Sequence, residues 1–382
     1  MIYLDNAATS FPKPDAVYDR VTTMLHECGN PGRSSHRLAM LSEREVFACR
    51  AAAAEMFGSA PERVVFTCNA TAALNMAIKC GYTGGSILIS DLEHNSVRRP
   101  ALAAADRAGE NVLIFDSHAG MPDGEERTAE ILASIRSKLA HTAKCGMLVS
   151  TAASNICGVR MPVREIGRLC RERGILFVVD ASQAAGHTDI DTRRDNIDVL
   201  CMPGHKGLYG PQGTGMMILG EGVALKNSFI EGGSGVDSLS PGMPDEPPER
   251  YEAGTLAVPC IAGLLAGIEF VASVGTADIR EHESRLAEIL KSGLRERLGG
   301  RVTFYGDGHP GGILLFDISG YSPSDIGGYL DRNGVAVRSG YHCAPLAHRK
   351  LGTKNGAVRA SFGWFNTEDD ARDTAEILGR LR

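Results

Sequence analysis

The 382-residue chain has a single tryptophan, and aromatic residues make up only 6% of it. Neither charge sign dominates: 40 Lys and Arg face 46 Asp and Glu, for a net charge of -6. That balance argues against a broad nucleic-acid surface but leaves room for a small anion site. Ten cysteines are present, yet no two form a C-x-x-C pair, so the zinc-ribbon and thioredoxin signatures are missing. A zinc site through His342, Cys343 and His348 lacks a fourth ligand at motif spacing, and no metal is expected. The longest apolar run, 257–275, contains Pro259 and Glu269, which favours a buried helix over a membrane span. Residues Met1 to Asn6 show no basic stretch followed by an apolar one, so no signal peptide is expected. Internal repeats, low-complexity tracts and the phosphate-loop string G-x-x-x-x-G-K-[ST] are also absent. Gly306-x-Gly308-x-x-Gly311 matches the dinucleotide fingerprint as a string. Pro310 and an apolar strand pattern at 313–316 stand where a helix is required, so a turn between strands is expected.

What is present is ordinary globular material, 43% hydrophobic and 23% charged. At about 150 residues per domain the length predicts two or three domains, or one large core with an appendage. Glycine is abundant, 45 residues, against a usual ~7%. The excess has no collagen-like period and points to tight turns and close backbone approaches. A core of this size needs no disulfide staples, so the cysteines read as reduced thiols in a cytoplasmic setting.

Short aliphatic runs alternate with helical patterns. Strands are expected at 64–67, 86–90, 147–150, 175–179, 199–202 and 216–219, with helices at 71–79 and 163–173. Continuous apolar strands between helices imply an α/β fold with a mostly parallel sheet covered on both faces. Beyond about residue 256 the pattern changes to helices at 260–274, 278–298, 323–333 and 367–381, with strands at 301–305 and 312–318. This is a smaller α+β domain. Between the two lies the Gly-, Pro- and acid-rich stretch 232–252, a linker or a long functional loop.

Three segments carry chemistry. In Pro203-Gly-His-Lys-Gly207, a strand end runs into a glycine-rich loop that holds Lys206. Such a lysine suits close approach to a carbonyl compound, Schiff-base formation and later base catalysis if its pKa is lowered. A loop lysine beside an anion fits the same string. Asp180 closes the strand Ile-Leu-Phe-Val-Val, where ligands of α/β sheets bind. It suits a partner for a protonated pyridine nitrogen, and it equally suits a cap for the next turn. Cys343 lies in the polar loop Gly-Tyr-His-Cys-Ala-Pro; a cysteine is most often a small buried hydrophobe, but a loop thiol beside His342 and Arg338 suits a thiolate.

Asp180-Ala-Ser-Gln183 followed by Gly204-His205-Lys206 resembles the pyridoxal phosphate (PLP) site of class V aminotransferase-fold enzymes. The whole chain resembles the cysteine desulfurase and selenocysteine lyase family, in its SufS-like group. The shared stretches include Tyr3-Leu-Asp-Asn-Ala-Ala-Thr-Ser10, Glu231-Gly-Gly-Ser234, Tyr251-Glu-Ala-Gly-Thr255 and Arg338-Ser-Gly-Tyr-His-Cys343. The resemblance implies a type I PLP-dependent transferase fold. Residues 15–256 would form a large domain with a seven-stranded-type sheet, and residues 1–14 with 257–382 a small domain carrying the cysteine loop. It also implies roles: Lys206 as the imine lysine, Asp180 on the pyridine nitrogen, Gln183 on the phenolic oxygen, and His94 stacked on the ring and moving protons. Asn155 would lie beside the ring. Ala70, Thr71 and His205 would hold the phosphate, and Thr255 would reach the phosphate of a neighbouring subunit. Arg359 would bind the substrate carboxylate with Arg338 as a second arginine, and Cys343 would take the sulfur. His94 read alone also suits a surface or capping residue.

Three positions depart from the family pattern: Pro203 where relatives carry Ser or Thr, Gly207 as an apparent insertion, and Tyr341 where a first His is usual. The expected reaction converts L-cysteine to L-alanine and leaves a persulfide on Cys343 for an acceptor protein or thiol. Selenocysteine lyase, a lyase giving pyruvate, and a non-catalytic persulfide relay are the alternatives. A homodimer is expected from the resemblance, with no nucleic-acid or membrane partner.

Overall fold

A computed structural model describes every residue except Arg33, Asp307, Gly308, Pro310 and Arg382. Seven strands form the large sheet: β1 (Val64–Thr67), β2 (Ser86–Ser90), β3 (Val112–Phe115), β4 (Cys145–Thr151), β5 (Leu176–Asp180), β6 (Val199–Pro203) and β7 (Gly215–Leu219). Their order is β1-β7-β6-β5-β4-β2-β3. The run from β3 to β6 is parallel, and β7 runs against both of its neighbours. Every residue of β2, β6 and β7 is buried. Alternation divides them between two layers. Val65, Ile87, Val149 and Val178 pack with the helix Ala70–Gly81, while Phe66, Leu88, Leu148 and Phe177 face the other core.

Four further strands make an antiparallel sheet: β8 (Val302–Tyr305), β9 (Ile313–Ile318), β10 (Arg338–Gly340) and β11 (Ala357–Ser361), in the order β10-β11-β9-β8. Adjacent antiparallel β8 and β9 fit a turn between them; Asp307, Gly308 and Pro310 of the glycine string lie outside the described residues. Residues Ile2–Tyr3 pair with Val335–Ala336, and Leu4 sits in this sheet's core. The chain's first residues therefore join its last third.

Several features add to or differ from the sequence expectation. The helix Val258–Val274 packs on the helices Asp15–Glu27 and Arg37–Met56, and its Ile261, Leu264 and Leu265 enter the large-sheet core. This helix ends at Gly275, whose φ of 97° turns the chain into the helix Thr276–Leu298. The second is β3, an unanticipated edge strand; its Ile114 is exposed and the buried-strand pattern is lost. The helix Asn95–Arg107 was not anticipated either, because Pro100 lies inside it. Among the described residues no single helix is long and apolar enough to cross a membrane, and all ten cysteines are free thiols.

The two ends of the large domain are tied by a buried ion pair. Arg50 binds Glu252 through both terminal nitrogens, and Glu252 also accepts from the Phe66 N–H of β1. Removing one partner strands a charge. Glu252→Ala is therefore expected to cost about 3–5 kcal/mol, read as a lower urea midpoint at unchanged slope. An unaltered midpoint would show that the pair does not hold this corner.

Candidate active site

The loop after β6 carries Lys206, at the carboxyl edge of the parallel strands, where open α/β sheets bind ligands. No ion-pair partner meets its ammonium among the described residues. Burial lowers its pKa to about 8; Asp180 opposes the shift, and Arg359 and Arg338 add to it. The loop's backbone is tightly packed. A Cβ on Gly207 would lie 2.3 Å from the Ala185 carbonyl oxygen, and one on Gly186, at φ 87°, would lie 2.0 Å from that of Gly207. The apparent insertion at 207 thus has a packing reason to be glycine. Pro203 ends β6 opposite Gly215 and offers no hydroxyl.

Asp180 is 2% exposed, at the end of β5. Its Oδ1 accepts from the Ser182 N–H at 2.9 Å. The turn-capping reading therefore holds, and Asp180 also lies within the electrostatic reach of Lys206. His94 has the same double character. Its Nδ1 accepts from the Ser96 N–H at 3.1 Å and caps the helix Asn95–Arg107. Burial, with Lys206 and Arg338, lowers its pKa against the pull of Asp180, so the imidazole is neutral. Gln183 donates to the Ala7 carbonyl at 2.9 Å.

Sequence reasoning missed Glu93, which is fully buried. Its Oε1 accepts from Ser90 Oγ at 2.5 Å and from the Thr151 N–H at 2.8 Å, and Thr151 pairs with Asp180 across β4 and β5. Its Oε2 has no partner. Burial pushes its pKa up to about 8, with Asp180 adding to the push, so a protonated carboxyl lies behind His94. Asp5 was missed as well. Its carboxylate meets Arg359 at 2.7 Å.

A second end of the site is built for an anion. Asn69 caps the helix Ala70–Gly81 by accepting from Ala72 N–H at 2.9 Å, which leaves the first-turn N–H groups of Ala70 and Thr71 for a ligand. His205 Nδ1 is buried without a partner. Burial, Lys206 and Lys13 lower the pKa of His205 to about 4, so a neutral ring is available. Lys13, also missed, donates to Ser10 Oγ and the His205 carbonyl, and burial lowers its pKa to about 8.

Arg359 is 1% exposed and lies opposite Arg338 in the β10–β11 register. It donates to the Asn155 carbonyl at 2.7 Å, and its Nε is buried without a partner. Arg338 has no ion-pair partner among the described residues. The Cys343 loop is pinned to the same group: Asn155 Nδ2 donates to the His342 carbonyl at 2.8 Å, and the Asn95 N–H to the Cys343 carbonyl at 2.9 Å. Cys343 itself is exposed. One expectation needs correcting. Burial, Arg359 and other neighbours lower the pKa of His342 to about 3, so His342 is neutral and lends Cys343 no imidazolium charge. Thr255 stands apart. It is exposed, and its neighbours Gly254 and Leu256 line a separate cavity with Arg50 and Glu252.

The family profile "Aminotransferase class-V" matches residues 2–373. The chain belongs to the class-V aminotransferase family. Within it, a probable cysteine desulfurase of Methanothermobacter thermautotrophicus is 31% identical over 391 positions, covering 100% of this chain and 94% of the relative. Among solved class-V structures, an apo cysteine desulfurase of Thermococcus onnurineus superposes with a TM-score of 0.88 at 30% identity, covering 99% of this chain and 94% of the other. A cysteine desulfurase of Escherichia coli in an S-sulfonic acid form gives 0.86 at 26% identity, with the same coverage. The fold is the type I fold of this family.

The depressed Lys206 pKa has a direct readout in the protein without cofactor. Reductive methylation of Lys206, followed by peptide mass analysis, is expected to rise with pH through a midpoint near 8, well below the ordinary 10.5. Asp180→Asn removes the larger of two opposing charges, the other being Asp5, and is expected to move the midpoint lower still. A wild-type midpoint near 10.5 would contradict the buried geometry.

Proposed function

We propose that this chain is a PLP-dependent cysteine desulfurase that converts L-cysteine to L-alanine and leaves the sulfur on Cys343 as a persulfide. The observation that carries this reading is the pinning of the Cys343 loop, through Asn155 and the Asn95 N–H, to the residues around a buried Lys206. Three unpartnered groups support the fit of the cofactor. His205 Nδ1 wants an acceptor or donor, and the free N–H groups of Ala70 and Thr71 want an anion.

Bound PLP supplies an aldehyde for amine capture and a ring that accepts the electron pair left at Cα. The chain supplies the rest. Ala70, Thr71 and His205 hold the phosphate, with Thr255 reaching it from a partner subunit in the homodimer. Asp180 keeps the pyridine nitrogen protonated, Gln183 meets the phenolic oxygen, and His94 covers the ring face. Arg359 and Arg338 bind the substrate carboxylate, the former with its remaining N–H groups. Lys206, being partly neutral near pH 8, takes the proton from Cα. The thiolate of Cys343 then attacks the substrate sulfur, the Cβ–S bond breaks with its electron pair left on the carbon side, Cβ gains a proton, and Cα regains the proton held by Lys206 to give alanine. A thiol or acceptor protein in the cytoplasm discharges the persulfide.

The alternatives separate on products. A selenocysteine lyase would favour the selenium substrate, and a cysteine lyase would give pyruvate without using Cys343. A persulfide relay would bind no PLP. The reconstituted protein is expected to be yellow, to be trapped at Lys206 by borohydride, and to release alanine from L-cysteine. Cys343→Ala is expected to lose sulfur transfer by at least about a hundredfold while keeping the colour. Pyruvate as the main product, or sulfur release unchanged in Cys343→Ala, would refute the assignment.

A further inference from the structure

The residues flanking Cys343 stand in a conformation that side chains rarely adopt. His342 has a φ of 48° and Cys343 a φ of 57°. Consecutive left-handed non-glycine residues each cost about 1–3 kcal/mol and persist only where the surroundings hold them. A chain of hydrogen bonds does so. His342 Nε2 lies 3.1 Å from the Arg338 carbonyl, His342 Nδ1 lies 3.2 Å from His348 Nε2, and His348 Nδ1 lies 2.7 Å from Thr353 Oγ1. The two rings are stacked at 13°, and both residues are buried.

Proton placement in this chain has one solution for neutral rings. A carbonyl only accepts, so His342 Nε2 carries the hydrogen and His342 Nδ1 is an acceptor. His348 Nε2 must then donate, which makes His348 Nδ1 an acceptor for the Thr353 hydroxyl. That hydroxyl also lies 3.2 Å from the His348 carbonyl, the longer of its two contacts. The low pKa of His342 agrees with a neutral pair. The network spans from the strand before the cysteine to the turn after the following helix, and so closes 338–353 into a clip with Cys343 at its apex. Tyr341 belongs to the same clip. Its hydroxyl donates to the Lys354 carbonyl at 2.8 Å, and its ring packs edge-on against His348 at 5.5 Å.

We propose that His348 is a positioning residue for sulfur transfer: by donating to His342 Nδ1 it anchors the His342 ring and thereby holds the Cys343 backbone in its left-handed, substrate-facing conformation. This rests on the desulfurase reading above and adds a residue that does not touch the substrate. Thr353 supports that anchor by donating to His348 Nδ1.

The test compares His348→Gln, whose amide N–H can still donate to His342 Nδ1, with His348→Met, which cannot. Each is assayed as holoenzyme on L-cysteine and on 3-sulfinoalanine, whose sulfinate departs as sulfur dioxide without a thiol acceptor. His348→Met is expected to lose kcat on L-cysteine by on the order of tenfold to a hundredfold, at little change in KM, as expected for a misplaced reacting group. Its turnover of 3-sulfinoalanine should stay within about twofold of wild type, and His348→Gln should recover most of the L-cysteine activity. Thr353→Val, a milder cut, should shift the same ratio in the same direction. Equal losses on both substrates, no rescue by Gln, or wild-type sulfur transfer in His348→Met would each overturn the proposal. If wild type makes no alanine, the functional reading fails on its own. The clip is then judged by amide hydrogen exchange across 341–353, which must rise in His348→Met and not in His348→Gln.

Discussion

An ammonium withdrawn from water loses hydration worth several kcal/mol, and at Lys206 two guanidinium groups raise that penalty while Asp180 offsets part of it. The balance leaves an amine that can shed its proton near pH 8. Everything else in the site bears on this balance. Glu93, itself held toward the neutral form, adds no full negative charge beside Asp180 and so does not restore the lysine's ordinary basicity. His94 and His205 are neutral for the same reason, burial among cations. The pocket thus presents neutral donors and acceptors where a phosphorylated ring would bind, with its cations at the carboxylate end.

The first ten residues unite this arrangement. Asp5 neutralises Arg359, the Ala7 carbonyl orients Gln183, and Thr9 and Ser10 donate to the His205 carbonyl. Ile2–Tyr3 meanwhile pairs with the small domain. A small cavity of about 60 Å³ lies against Lys206 on this side, with Asn6, Gln183, His187 and Glu283 among its lining residues. Across it His187 of the large domain meets Glu283 of the helix Thr276–Leu298 at 3.3 Å. This pair ties the loop after β5 to that helix beside Lys206.

Much of this was legible in the chain. Fully buried strands such as β2 and β6 announce themselves as unbroken aliphatic runs, and Lys206 stands out because lysine is out of place between glycines. Edge strand β3 was hidden by its mixed burial, and the helix after His94 by Pro100. Asp5 and Glu93 look like ordinary polar residues of loops; only the fold brings the first onto Arg359, 354 positions away, and buries the second completely. His342 misled because a histidine beside a cysteine suggests a charge, and burial removes it. Thr255 was singled out solely through resemblance, and among the described residues nothing joins it to the lysine.

The glycine contact beneath the loop has a mechanical consequence. With Gly207 seated on Ala185 and His187, and Gly186 seated on Gly207, the main chain under Lys206 has no room to travel. Whatever excursion the amine makes between carbonyl carbon and substrate proton must come from rotation about the bonds of its four-carbon stem, swung from a fixed anvil.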